Sequence, residues 1–141
     1  MVMKHEIGAL ILRVVLGITF FIHGFVKFQG GIENQAAWFS SIGLPGFLAY
    51  VVAIIELVGG FALIIGFATK IVSILIGVIM IGATVTVKLP LGFLGNGQMA
   101  GYELDVILLA MAVYLAINGS KLWSLGHLIS QKDSKNTTIA A

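Results

Sequence analysis

Four long apolar segments limit this chain to a small set of folds. They cover about residues 7–28, 46–68, 71–87 and 103–122, and a helix needs roughly 20 apolar residues to cross a bilayer. The third segment is rich in Val, Ile and Thr, but a lone strand in lipid would leave its backbone groups unpaired. We therefore predict an all-α fold, an integral membrane four-helix up-and-down bundle that forms a single domain over residues 1–129.

The composition indicates a membrane protein. The chain is 59% hydrophobic and only 10% charged, whereas soluble domains carry about 25% charged residues. A net charge of +2 with scattered lysines argues against nucleic acid as a partner. Since the chain has no cysteine, it cannot by itself perform thiol–disulfide chemistry or bind an iron–sulfur cluster.

The connection between the first two segments predicts a further, short helix. Apolar residues recur there at helical spacing, and Trp38 beside them suits the headgroup level. We therefore expect an interfacial helix in the first outer loop. The residues that share its apolar face are Ile32, Ala36, Phe39 and Ile42.

Lysines set the expected orientation. With four spans, more lysines lie on the side of the termini than on the other side, and positive residues favour the cytoplasm. Both termini are therefore predicted to be cytoplasmic. The tail, residues 130–141, is polar and predicted to be disordered.

Two ionisable residues lie deep in the predicted membrane region. Glu56 is near the middle of the second helix, and Arg13 is roughly 10 Å from the cytoplasmic end of the first. Because arginine reaches along its stem, we expect an Arg13–Glu56 contact if these helices are adjacent. Such a pair is either a structural element that fixes helix register or part of a functional site.

Five further ionisable residues fall in the outer third and predict a polar cluster that opens outward above Glu56. For the lysines and Glu103, extension of the side chain to water is the alternative explanation. Glu103 and Asp105 point about 160° apart on a regular helix, so only one faces inward. His23, the one histidine expected within the membrane, predicts no metal site by itself, and a hydrogen bond to a backbone carbonyl is the alternative to a functional role. The cluster comprises His23, Lys27, Lys88, Glu103 and Asp105.

Several of these residues lie in stretches that resemble the DoxX family of small four-helix membrane proteins. The run RVVLGITFFIHGFVKF resembles the first helix of the family, IIELVGGFALIIGFATK the second, and GYELDVILLAMAVYLAINGSKLWSL the fourth. The likeness extends to about Leu125. The phrases KFQGGIEN and KLPLGFLGNGQMAGYELD resemble a subgroup of oxidoreductases linked to catechol and methylhydroquinone resistance in Gram-positive bacteria.

This resemblance implies a multi-pass protein of the bacterial plasma membrane, and either an oxidoreductase or its membrane subunit, acting on quinones or catechol-like compounds. We expect no covalently bound cofactor and a quinone as the bound molecule. The expected partners are the lipid bilayer, a small hydrophobic aromatic, a soluble redox subunit and a second copy of the chain. Alternatives are a transporter that excludes toxic aromatics and a membrane anchor for a soluble enzyme.

The hypothesis gives each polar residue a role. Glu56 and His23 are the candidate catalytic residues, which bind quinone oxygens and move protons. Phe20, Phe21 and Tyr102 are candidates to flank a planar ring. The candidate substrate-binding residues are Arg13, Lys27, Lys88, Tyr102, Glu103 and Asp105.

Overall fold

The computed structural model describes residues 2–140, and this range is all-helical, as predicted, apart from an isolated bridge between Gly95 and Ala100. The π-helical turn Thr84–Lys88 and the 3-10 turn Leu89–Leu91 directly continue the fourth helix. The α-helices are α1 (Val2–Gln29), α2 (Ile32–Ser41), α3 (Phe47–Ile65), α4 (Thr69–Ala83), α5 (Glu103–Asn118) and α6 (Leu125–Ala140).

Three helical stretches in the described range are long and apolar enough to cross a membrane, namely Met3–Gln29, Phe47–Ile65 and Thr69–Leu91. The first includes most of α1, the second is α3, and the third combines α4 with the two turns after it. With 16 residues, α5 is about 24 Å long, shorter than a hydrocarbon core of about 30 Å. These spans make the chain a membrane protein in contact with lipid.

Glycines bring the backbones of α1 and α3 together. A Cβ atom on Gly24 would lie 2.5 Å from the backbone nitrogen of Leu57, and one on Gly17 would lie 2.8 Å from the carbonyl oxygen of Gly60. Small residues of this kind let helices in lipid approach closely. The two contacts also show that the helices run antiparallel, because the position on α3 moves back as the position on α1 moves forward.

The other helices complete the packing. α1 also packs against α5, while α4 packs against both α3 and α5, and α2 lies on α1 and α3. Large side chains from the four long helices meet in the interior, whereas apolar residues such as Val58 and Val78 remain exposed on the outside. The largest fully buried apolar side chains are Leu16, Phe20, Leu63, Ile76 and Leu115.

Several helices differ from expectation in their extent, and α5 ends at Asn118, not near residue 122. α1 begins at Val2, not near residue 7, and residues 130–140 of the polar tail, predicted to be disordered, belong to α6. The start of α6 has a physical cause, because the hydroxyl of Ser124 accepts a hydrogen bond from the backbone nitrogen of His127 at 3.3 Å. A serine that accepts this bond caps the N-terminus of a helix. Residue 141 of the predicted tail lies outside the described range.

Candidate functional site

A cavity of about 220 Å³ lies between α1, α3, α4 and α5, at the end of the molecule where α1 ends and α5 begins. We call it the polar chamber. Most of the sequence-predicted site residues line it. Its lining residues are Phe20, His23, Lys27, Glu56, Met80, Ala83, Lys88, Ala100, Gly101, Leu104, Asp105 and Leu108.

An ion pair between α1 and α3 forms one wall of the polar chamber. The ammonium nitrogen of Lys27 lies 2.6 Å from Oε2 of Glu56 and donates a hydrogen bond to it. Glu56 is only 3% exposed, whereas a quarter of the Lys27 side chain remains accessible, at 25%. A carboxylate buried this deeply needs such a partner, since an unpaired charge is costly in an apolar interior.

The opposite wall combines α4, its π-helical turn and α5. The hydroxyl of Thr84 donates to the carbonyl oxygen of Met80 at 2.8 Å and also lies 3.4 Å from Oδ2 of Asp105. The ammonium group of Lys88 donates to the carbonyl oxygen of Ala100 at 3.3 Å. A π-helical turn places side chains differently from a regular helix, and such turns are frequent at functional sites. Lys88 is the last residue of that turn and lines the chamber.

The structure decides which acid at the start of α5 faces inward. Asp105 is 9% exposed and lines the polar chamber, whereas Glu103 is exposed and does not line it. The backbone nitrogen of Glu103 bonds the carbonyl oxygen of Phe93 at 3.0 Å. Tyr102 packs its ring edge-on against Phe93, with centroids 5.5 Å apart, and also lies outside the chamber lining.

The expected Arg13–Glu56 contact is wrong. The glycine contacts set Glu56 level with about residue 25 of α1, so Lys27 lies within a turn of it and Arg13 lies about 18 Å away along the helix. Arg13 is 1% exposed. It donates instead to three backbone carbonyls of the α5–α6 connection, those of Ser120 at 3.4 Å, Leu122 at 3.1 Å and Trp123 at 2.9 Å.

Of the remaining candidates, some line the polar chamber and others lie outside it. His23 lines the polar chamber, and its ring centroid is 6.2 Å from that of Phe20, which also lines it. Phe21 is absent from the lining, and its ring stacks on that of Phe25. Thr84, which is not among the sequence-predicted site residues, lies 3.4 Å from Asp105 but outside the chamber lining.

The chamber combines groups that can bind and protonate a small polar ligand. Lys27 and Lys88 supply donors, Glu56 and Asp105 supply carboxylates, and His23 can either donate or accept. Acids and bases held at the edge of an apolar cavity are suited to proton transfer. No group of three or more His, Asp or Glu side chains arranged for a metal occurs among residues 2–140.

Comparisons with known proteins agree with the helical spans that this chain is a membrane protein. The DoxX family model matches residues 8–89. A Bacillus subtilis protein named "Putative oxidoreductase CatD" is 46% identical over 136 residues, which cover 96% of each chain. An uncharacterized membrane protein of Mycobacterium tuberculosis is 28% identical over 86% of this chain and 80% of its own.

A third relative covers less of the chain. The inner membrane protein YqjF of Escherichia coli is 32% identical over 65 residues, which are 46% of this chain and 49% of its own. No solved structure shows a significant match to this chain.

Proposed function

Because the chain belongs to the DoxX family, we propose that it is a membrane oxidoreductase, or the membrane subunit of one, that acts on quinones or catechol-like compounds during quinone stress. The observation that carries the proposal is the polar chamber, where the buried Lys27–Glu56 pair faces a cavity beside His23 and Asp105. At about 220 Å³ the cavity is smaller than the roughly 300–1,000 Å³ of pockets for drug-sized ligands. That size suits one small ring.

The chemistry of a quinone matches the groups at the chamber. Reduction of a quinone to a hydroquinone adds two electrons and two protons, one proton to each ring oxygen. In this proposal Lys27 and Lys88 hydrogen-bond the ring oxygens, and Glu56 and His23 deliver or remove the protons. Phe20 supplies one apolar wall for the ring.

The electrons need a separate source. The chain has no cysteine, and side chains such as carboxylates and histidines move protons but do not store electrons. In this proposal a soluble partner subunit with its own redox cofactor supplies or takes the electrons. The polar chamber would then serve as the ligand-binding half of a two-part enzyme.

The proposed membrane arrangement follows the same helices. α1, α3, α4 and α5 form an up-and-down four-helix bundle across a bacterial plasma membrane, and α2 lies at the outer interface. Both termini are cytoplasmic in this arrangement, because the larger number of lysines lies at that end. The polar chamber is then near the outer surface.

Spectral titration of the purified protein with a small methylated benzoquinone tests the proposal. Saturable binding is expected in the wild type and in Glu103→Gln, whose exposed carboxylate lies outside the chamber. Glu56→Gln should weaken binding by roughly tenfold, the equivalent of about one charge-assisted hydrogen bond. The two variants form a matched pair, since both replace a glutamate by its amide.

Three results would contradict this function. If the two glutamate variants bind equally well, the buried carboxylate is not part of the site. If the quinone does not bind at all, the chain fits better as an anchor for a soluble enzyme. Net flux of the quinone into liposomes without any redox change would identify a transporter instead.

A further inference from the structure

A second cavity shares a wall with the polar chamber. It has a volume of about 400 Å³ and lies between α2, α3 and α4 with its π-helical turn. We call it the apolar chamber. Lys27, Glu56, Met80, Ala83 and Lys88 line both cavities, so the two are adjacent across the ion pair.

Most of the remaining lining of the apolar chamber is hydrocarbon and aromatic, and its polar members are Gln35 and Thr86. α2 contributes Trp38 and Phe39, while α3 contributes Leu48 and Val52. The charged groups, Lys27, Glu56 and Lys88, lie on the wall shared with the polar chamber, and the rest of the space is mostly apolar. A ligand that occupies both chambers must carry a polar head and an apolar extension.

One edge of the apolar chamber faces the outside of the helices. Gly82 and Thr86 lie there, one helical turn apart, and the Thr86 hydroxyl donates to the Gly82 carbonyl at 2.7 Å. Both residues are exposed, and a Cβ atom on Gly82 would meet nothing within 4 Å. Val78, which is 63% exposed on the same helix, also lines this edge. Since α4 is a candidate membrane span, this opening faces lipid.

From these contacts we propose that the site takes a lipid-soluble quinone with an alkyl tail, which enters sideways from the bilayer between α2 and α4. Its ring lies in the polar chamber, and its tail lies in the apolar chamber. The inference rests on the proposed function and adds to it a class of substrate and a route of entry. A water-soluble catechol from the outer loop would leave the apolar chamber without a role.

The two tryptophans of the chain make the proposal testable. Trp38 lines the apolar chamber, whereas Trp123 is 81% exposed at the opposite end of the molecule. A Trp123→Phe protein therefore reports from the apolar chamber alone, and a Trp38→Phe protein reports from the far end. Quinones quench tryptophan fluorescence at short range, so each protein can be titrated in detergent micelles.

Two probes separate the ring from the tail: a methylated benzoquinone with a ten-carbon alkyl chain, and the same ring without it. In the Trp123→Phe protein the alkylated quinone should quench Trp38 saturably and bind more tightly than the bare ring. Gly82→Phe and Thr86→Phe fill the lipid-facing edge. Each should raise the Kd of the alkylated probe about tenfold and change that of the bare ring less than twofold.

Val85→Phe is the matched control. Val85 lies in the same π-helical turn, is 63% exposed and lines neither chamber, so this variant should bind both probes as the parent protein does. Equal quenching of Trp123 in the Trp38→Phe protein would show simple partition into the micelle and would overturn the proposal. So would unchanged affinity for the alkylated probe in both edge variants.

The outcomes also distinguish this inference from the proposed function. If both probes bind equally and both depend on Glu56, the quinone site stands and the lateral entry is wrong. If neither probe binds, both are wrong. If the tail improves binding and the edge variants abolish that improvement, both are supported.

Discussion

Removing one partner of the Lys27–Glu56 pair should destabilise the protein far more than removing both. Lys27→Met leaves Glu56, which is 3% exposed, without its cation. Breaking a buried pair from one side costs about 3–5 kcal/mol of the free energy of unfolding, whereas an apolar replacement of both partners is often close to neutral. We therefore expect Lys27→Met to cost about 3 kcal/mol or more, and Lys27→Met with Glu56→Met to recover most of this loss.

The two single variants should not be equal. Lys27 retains 25% exposure of its side chain, so after Glu56→Met its ammonium group can extend toward water at the chamber. Glu56 has no comparable route after Lys27→Met. Glu56→Met should therefore cost less, about 1.5–3 kcal/mol, the value of a hydrogen bond to a charged group.

Unfolding by a denaturing detergent in mixed micelles gives these free energies. The control is a second double-mutant cycle, Arg13→Met with Glu56→Met, because these residues lie about 18 Å apart along the helix axis. Residues this far apart should give additive losses, within about 0.5 kcal/mol. Additive losses for Lys27 and Glu56, or strong coupling between Arg13 and Glu56, would refute the arrangement described above.

Three further predictions follow from other parts of the molecule. Gly60→Leu should cost about 1–3 kcal/mol of unfolding free energy or more, since a Cβ there collides with the α1 backbone. The control is Val58→Leu, which should cost little because Val58 is 60% exposed. Equal losses for the two variants in the detergent assay would contradict the packing. Arg13→Leu frees three backbone carbonyls and should make the α5–α6 connection protease-sensitive; an unchanged digestion pattern would contradict this. Cysteines placed at Gln29 and Gln98 should react with an impermeant maleimide from outside the cell, and reaction only from the cytoplasm would reverse the proposed orientation.

The helical class could be predicted from the sequence, and five of the eight candidate site residues line the one polar chamber. Long apolar runs have few alternatives in lipid, and Asp105 is buried at the chamber because helical periodicity directs it toward neighbouring helices. Glu103 has the opposite direction and is exposed. Periodicity within one helix therefore gives the direction of a side chain well.

The pairing between helices could not be predicted in the same way. Arg13 was matched to Glu56 from depth alone, but the relative shift of two antiparallel helices is set by where their glycines meet. Gly24 against Leu57 fixes that shift and places Lys27 beside the carboxylate. A single sequence shows that the glycines exist but not which residue each one contacts.

The end of α4 and the polar tail show a second limit. The π-helical turn Thr84–Lys88 has the same composition as a regular helix or a strand, since Val and Thr alternate through it. Nothing in those residue types indicates the wider turn that ends at Lys88, a residue of the chamber lining. For α6, the polar composition predicts disorder, and the sequence alone does not show that Ser124 caps a helix.

The glycine contacts between α1 and α3 also determine which parts of the molecule can move. Two backbones in such close contact cannot slide or separate without losing the fit along their whole length, so α1 and α3 behave as one rigid body that carries Glu56 and Lys27. A motion that changes the size of either chamber must therefore come from the other lining elements, which are α2, α4 with its π-helical turn, and α5. A pair of spin labels across α2 and α4 should record that motion, while labels across α1 and α3 should report a constant distance.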